Sequence, residues 1–209
     1  MTDAGPDLQN RPGPGRFLFE PPDLRSRRKL DARLPDLLVP SFLDVPFEAL
    51  AARGVVNYCL DLDNTLALQT SYEPAPGVLD TLRAARAAGY VQGVCLISNT
   101  IWGQRRVDRL AHMAKLLDIE LFYAARLHDR KPFSASYRWA LKMLGVEARH
   151  TATVGDQIFS DIVGGNRMGL FTILVPQLGP DHWTTAIIGR RRRERIVLNH
   201  YGLSFERKS

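Results

Sequence analysis

Asp61 and Asp63 stand one residue apart in LDLDNT, directly after the apolar stretch VVNYC. If that stretch is a strand, residues two apart start their side chains on the same side of it. A second acidic pair, Asp156 and Asp161 in GDQIFSD, follows the apolar stretch TATV. Four carboxylates drawn together repel one another and are costly to keep ionised without a cation. Oxygen-only donors of this kind suit Mg2+, which takes one or two carboxylates together with waters or a phosphate oxygen. A bound Mg2+ would also keep Asp61 ionised for attack on phosphorus. Ser98 and Asn99 in LISNT add a hydroxyl and backbone N–H groups suited to phosphate oxygens. Lys131 in RKP supplies the fixed positive charge that a transferring phosphoryl group needs on its equatorial oxygens. Nucleophile, second carboxylate, hydroxyl, cation and metal ligands make a set for phosphoryl transfer through an aspartyl-phosphate.

Such a set works only if the chain carries its members to one place. The hydrophobic period alternates between strand and helix after Gly54. Strands are expected at 55–63, 90–98, 120–125, 151–156 and 170–175, and helices at 78–88, 103–117, 133–145 and 160–169. Alternation of this kind predicts right-handed βαβ units, a central parallel sheet and a three-layer α/β sandwich. In an open parallel sheet the ligand site lies beyond the carboxyl ends of the strands. Asp61–Asp63, Ser98–Asn99 and Asp156 fall at such ends, and Lys131 lies on the loop beyond another. Residues 34–53 read as an irregular entry and a short helix ending at Gly54. The proline-rich, charged stretch 1–33 reads as disordered.

In order, LDLDNT, LISNT, RKP and VGDQIFSD resemble the four motifs of the haloacid dehalogenase (HAD) superfamily phosphatases. With GGNRMG, FTILV and the late run RRRRERIVL added, the chain resembles the YqeG-type, class IIIA branch over residues 34–203. That branch includes the mitochondrial and plastid phosphatidylglycerophosphate phosphatases. The resemblance implies a Rossmann-like HAD fold and a Mg2+-dependent phosphomonoester hydrolase, with a phosphatidylglycerophosphate-like lipid as substrate. It makes Asp61 the nucleophile and Asp63 the general acid, then base. Ser98 and Lys131 would hold the phosphoryl group. Asp61, the Asp63 carbonyl and Asp156 would hold Mg2+, with Asp161 a direct or water-mediated ligand. Thr100 stands where the branch usually has asparagine.

Bland explanations compete with some of these roles. Asp161 could N-cap the following helix, Ser98 could cap a strand-end turn, and Lys131 could be a solvated loop charge. Only 35 positions separate Asp63 from Ser98, and 33 separate Ser98 from Lys131. One helix with its strands and loops fills each interval, so a capless, open site is expected, suited to a substrate whose bulk stays outside.

The remaining signals concern location. The chain has 209 residues and a formal net charge of +6. Residues 189–209 hold seven basic and two acidic side chains, whereas residues 34–188 are nearly neutral. The basic run Arg190–Arg193 with Arg195, next to Ile187, Ile188 and Ile196–Leu198, reads either as a solvated helix face or as a weak binding segment for an anionic membrane surface. No pattern for specific nucleic-acid binding accompanies it. Cys59 and Cys95 lie in apolar runs and read as buried thiols, and no secretory leader pattern opens the chain, so a cytoplasmic protein is expected. Two other functions stay open: the same chemistry on a soluble phosphate ester, and a non-catalytic protein docking on membrane or RNA.

Overall fold

Residues 31–100, 103–180 and 189–205 are described by the computed structural model. In chain order the strands are β1 (Leu37–Leu38), β2 (Asn57–Leu60), β3 (Gly93–Asn99), β4 (Leu121–Ala125), β5 (Thr151–Gly155) and β6 (Phe171–Leu174). The helices are α1 (Phe47–Ala51), α2 (Val78–Ala87), α3 (Gln104–Leu116), α4 (Ala135–Leu144), α5 (Val163–Met168) and α6 (Arg190–His200). The strands form one sheet in the order β1-β6-β5-β2-β3-β4, and every pairing is parallel.

The alternation along each strand divides the core in two. Tyr58, Leu60, Leu96, Val154 and Ile173 point to the face covered by α1, α2 and α3. Cys59, Cys95 and Ile97 point to the opposite face, against Tyr137 and Ala140 of α4. Strands covered on both faces need apolar residues at consecutive positions, which is why β2 and β5 read as continuous apolar runs. Helices therefore flank the sheet on both sides, giving the expected three-layer α/β sandwich. Burial pushes both cysteine thiols up, Cys95 to about 12.

Two features depart from the sequence expectation. The entry segment contains a strand, β1, which extends the sheet beside β6, with Leu37 opposite Ile173. Two residues are too few to show a period. Its anchor is Asp36, whose carboxylate accepts the Thr172 N–H at 2.7 Å and the Thr172 hydroxyl at 3.0 Å. The helix expected at 160–169 begins earlier, at Ile158, as a π-helical turn through Ile162 that passes into α5. The basic run is also structured: α6 lays Val197 on Leu38, Ile158, Ile162 and Leu174. Residues 1–30, including most of the stretch expected to be disordered, lie outside the described residues, as do Ile187 and Ile188. No described helix is long and apolar enough to cross a membrane.

Candidate active site

The sheet order sets β2 in the centre, between β3 and β5. Three adjacent strand ends therefore deliver Asp61, Ser98 and Asp156 to one edge. The Asp61 N–H still donates to the Val154 carbonyl at 2.9 Å, so the carboxylate leaves the sheet in register with β5. Asp161 comes from the π-helical turn. Gly155 lets it approach: a Cβ there would lie 2.2 Å from Asp161 Cγ.

Lys131 ties this group together. Its Nζ donates to Asp61 Oδ1 at 2.5 Å, to Asp161 Oδ1 at 2.6 Å and to the Ile97 carbonyl at 2.9 Å. Lys131 is 4% exposed, which removes the solvated-loop explanation. Burial works against its charge, but Asp161 and Asp61 outweigh burial and hold its pKa well above the ordinary lysine value. Burial likewise pushes Asp61 up, to about 7, against the pull of Lys131 and with Asp161 and Asp63 adding to the rise. Asp61 Oδ2 accepts from the Thr65 hydroxyl at 3.2 Å.

Asn99 braces the lysine from behind. Its Oδ1 accepts the Lys131 N–H at 2.8 Å, while its Nδ2 donates to the Lys131 carbonyl and to Ser160 Oγ, both at 3.2 Å. The side chain of Asn99 is thus spent on the loop that carries Lys131. Ser98 is buried, with Oγ 3.4 Å from Asp63 Oδ2. Asp161 Oδ2 accepts the Gln157 N–H at 3.1 Å, a bond across the π-helical turn made by the same carboxylate that pairs with Lys131. Asp161 lies inside the turn that begins at Ile158 and caps neither it nor the helix that follows, so the N-cap explanation fails. Thr100 donates its N–H to the Ala125 carbonyl at 2.9 Å and lines a cavity beside Asp63.

Sequence reading missed two arginines. Arg109 donates to Asp63 Oδ1 at 2.7 Å, to the Ser71 carbonyl at 2.6 Å and to the Leu68 carbonyl at 2.9 Å. Arg191 of α6 pairs with Asp156 Oδ2 and donates to the Asp156 carbonyl at 2.8 Å. Arg191 also contacts Glu194 Oε2 at 3.0 Å. A signal existed for both. Arg109 is four residues before the buried Met113, so a charge sits on the apolar stripe of α3. Arg191, Glu194 and Leu198 share one helix face by the same spacing.

Asp61, Asp156 and Asp161 can each bring a carboxylate oxygen within 4.8 Å of the others. All three are buried, and burial pushes Asp156 well above the usual carboxylate range despite Arg191. Asp156 Oδ1 is buried and has no hydrogen-bond partner among the described residues. An orphaned buried carboxylate oxygen and an all-oxygen donor set fit a hard divalent cation.

Residues 128–179, which include Lys131, Asp156 and Asp161, match the family described as HAD-hydrolase-like. The "Probable phosphatase YqeG" of Bacillus subtilis (strain 168) is 30% identical over 167 residues, covering 79% of this chain and 90% of that protein. This chain belongs to the HAD superfamily, in the phosphatase family of YqeG. It is also similar to two longer proteins. The chloroplastic/mitochondrial phosphatidylglycerophosphate phosphatase 1 of Arabidopsis thaliana is 26% identical over 80% of this chain and 48% of its own length. The chloroplastic phosphatidylglycerophosphate phosphatase 1 of Chlamydomonas reinhardtii is 30% identical over 77% of this chain and 59% of its own length.

Proposed function

We propose that this phosphoric monoester hydrolase requires Mg2+, works through an aspartyl-phosphate on Asp61, and acts on a phosphatidylglycerophosphate-like lipid. The observation that carries the chemistry is the buried cluster in which Asp61 and Asp161 share the Lys131 ammonium. In this reading Asp61, the Asp63 carbonyl and Asp156 hold the cation, with Asp161 a direct or water-mediated ligand. Bound there, the cation would keep Asp61 ionised at neutral pH and neutralise charge on the phosphoryl oxygens.

The chain's own groups then divide the work. An Asp61 oxygen attacks phosphorus as the ester P–O bond breaks, and protonated Asp63 gives its proton to the departing alkoxide. Asp63, now ionised, takes a proton from water as that water attacks phosphorus. The Asp61 O–P bond breaks, inorganic phosphate leaves, and both carboxyls are restored. Arg109 and Ser98 orient Asp63. Lys131 and Ser98 hold the phosphoryl group, and Asn99 holds Lys131.

Two features support a lipid. A cavity of about 280 Å3, lined by Asp63, Ser98, Thr100, Arg105, Arg106 and Arg109, opens on the side where a leaving group would depart. Among the described residues no separate cap domain stands over it, so acyl chains could remain in a bilayer. The exposed Arg192, Arg193, Arg195 and Ile196 of α6 form a face suited to anionic lipid. The two phosphatidylglycerophosphate phosphatases matched above point the same way. The test is phosphate release from phosphatidylglycerophosphate in anionic vesicles, beside a panel of sugar phosphates and nucleotides. Preference for the lipid is expected. A soluble ester turned over faster would remove the lipid substrate and leave the phosphatase, and no turnover of any ester by folded protein would remove catalysis.

A further inference from the structure

We infer that Arg191 is a positioning residue for the metal centre, so that the carboxy-terminal helix α6 is a working part of the active site. The inference rests on the metal-dependent reading above. Asp156 has two carboxylate oxygens in unlike situations. Oδ2 is paired with Arg191, while Oδ1 is buried and has no partner among the described residues. The same guanidinium donates to the Asp156 carbonyl at 2.8 Å, so one planar fork grips the side chain and the main chain of a single residue. That grip fixes the carboxylate's rotation and leaves Oδ1 as its one oxygen for a cation.

Arg191 is itself anchored. Glu194, one turn further along α6, accepts from it at 3.0 Å and is 5% exposed. Glu194 Oε1 also accepts the Phe159 N–H at 3.4 Å, which ties α6 to the π-helical turn that carries Asp161. Glu194 and Val197, both buried, secure this face of the helix, while Arg192, Arg193 and Arg195 are exposed. A solvated basic face would need none of this. Carboxylates that hold a metal are themselves held by hydrogen bonds, and loss of such a partner typically weakens metal binding about 10–100-fold.

The test is Mg2+ binding to the metal-stripped full chain, by calorimetry and by the rise in Tm with added Mg2+. Arg191→Gln is expected to weaken binding by about 10–100-fold, with saturating Mg2+ restoring most of kcat. Arg191→Lys keeps the charge but loses the fork, and should fall between Arg191→Gln and wild type. Asn199→Ala, exposed on the same helix, should leave affinity unchanged. If Arg191→Gln does not fold, Glu194→Gln takes its place, with a smaller loss expected. Equal affinity in the variants and wild type would overturn the inference alone. So would tighter binding in Arg191→Gln, which would make the arginine a competitor of the cation. A wild-type protein that binds no Mg2+ would overturn both this inference and the metal-dependent reading.

Discussion

Asp61 and Lys131 are both buried and ion-paired, and Lys131 is shared with Asp161. Asp61→Asn keeps the shape and removes the proposed nucleophile. Turnover should fall by about three orders of magnitude or more, with the thermal unfolding transition intact; near-normal kcat in the folded variant would remove the assignment. Asp63→Asn separates a different step. It should cost roughly 100–10,000-fold on an alkyl phosphate and much less on nitrophenyl phosphate, whose leaving group needs little protonation. Equal losses on both esters would end the general-acid role. Lys131→Met leaves Asp61 and Asp161 facing each other without their cation. Stability in EDTA should drop by about 3–5 kcal/mol, and Mg2+ should recover part of that loss in a denaturant titration. A midpoint unchanged from wild type would mean that the buried ion pairs are not what holds this cluster.

The elements show which parts of this arrangement could be read from residues alone. Strand ends were legible because burial on both faces forces continuous apolar runs, and the polar residues that end those runs are the site. β1 was not, since its two residues gain their place from Asp36 bonding Thr172 far along the chain. The π-helical turn was hidden because its start is set by the Asp161 contact with Gln157, a local bond that no hydrophobic period reports. Arg109 and Arg191 were visible as charges on inward helix stripes but had no partner assignable without the fold. Asp63 lies 46 residues from Arg109, and Asp156 lies 35 from Arg191. Gly155 belongs to this scale too. Gly155→Ala drives a methyl into Asp161 and should cost about 1–3 kcal/mol by overpacking. It should also weaken Mg2+ binding, as read by calorimetry. A variant with wild-type Tm and Mg2+ affinity would show that the turn shifts freely.

For the whole molecule, the proposed metal site predicts an activity that depends on a cation. Phosphatase activity should vanish in EDTA, return with Mg2+ and return poorly with Ca2+, whose larger and looser oxygen shell suits in-line transfer badly. Full rates in metal-free buffer would contradict this. The placement of β2 has a consequence beyond catalysis. Asn57 pairs with Gly93 on one side and with Thr151 on the other, 94 residues later. At about 5–20 residues per second, a ribosome needs roughly 5–20 s to make the second neighbour after the first-made site strand. Throughout that interval an apolar strand emerges with an open hydrogen-bonding edge, the condition in which nascent chains pair wrongly or recruit chaperones. The newborn chain is therefore most exposed to aggregation while Asp61, its proposed nucleophile, is already made, and the carboxylate cluster can close only after synthesis has passed Asp161.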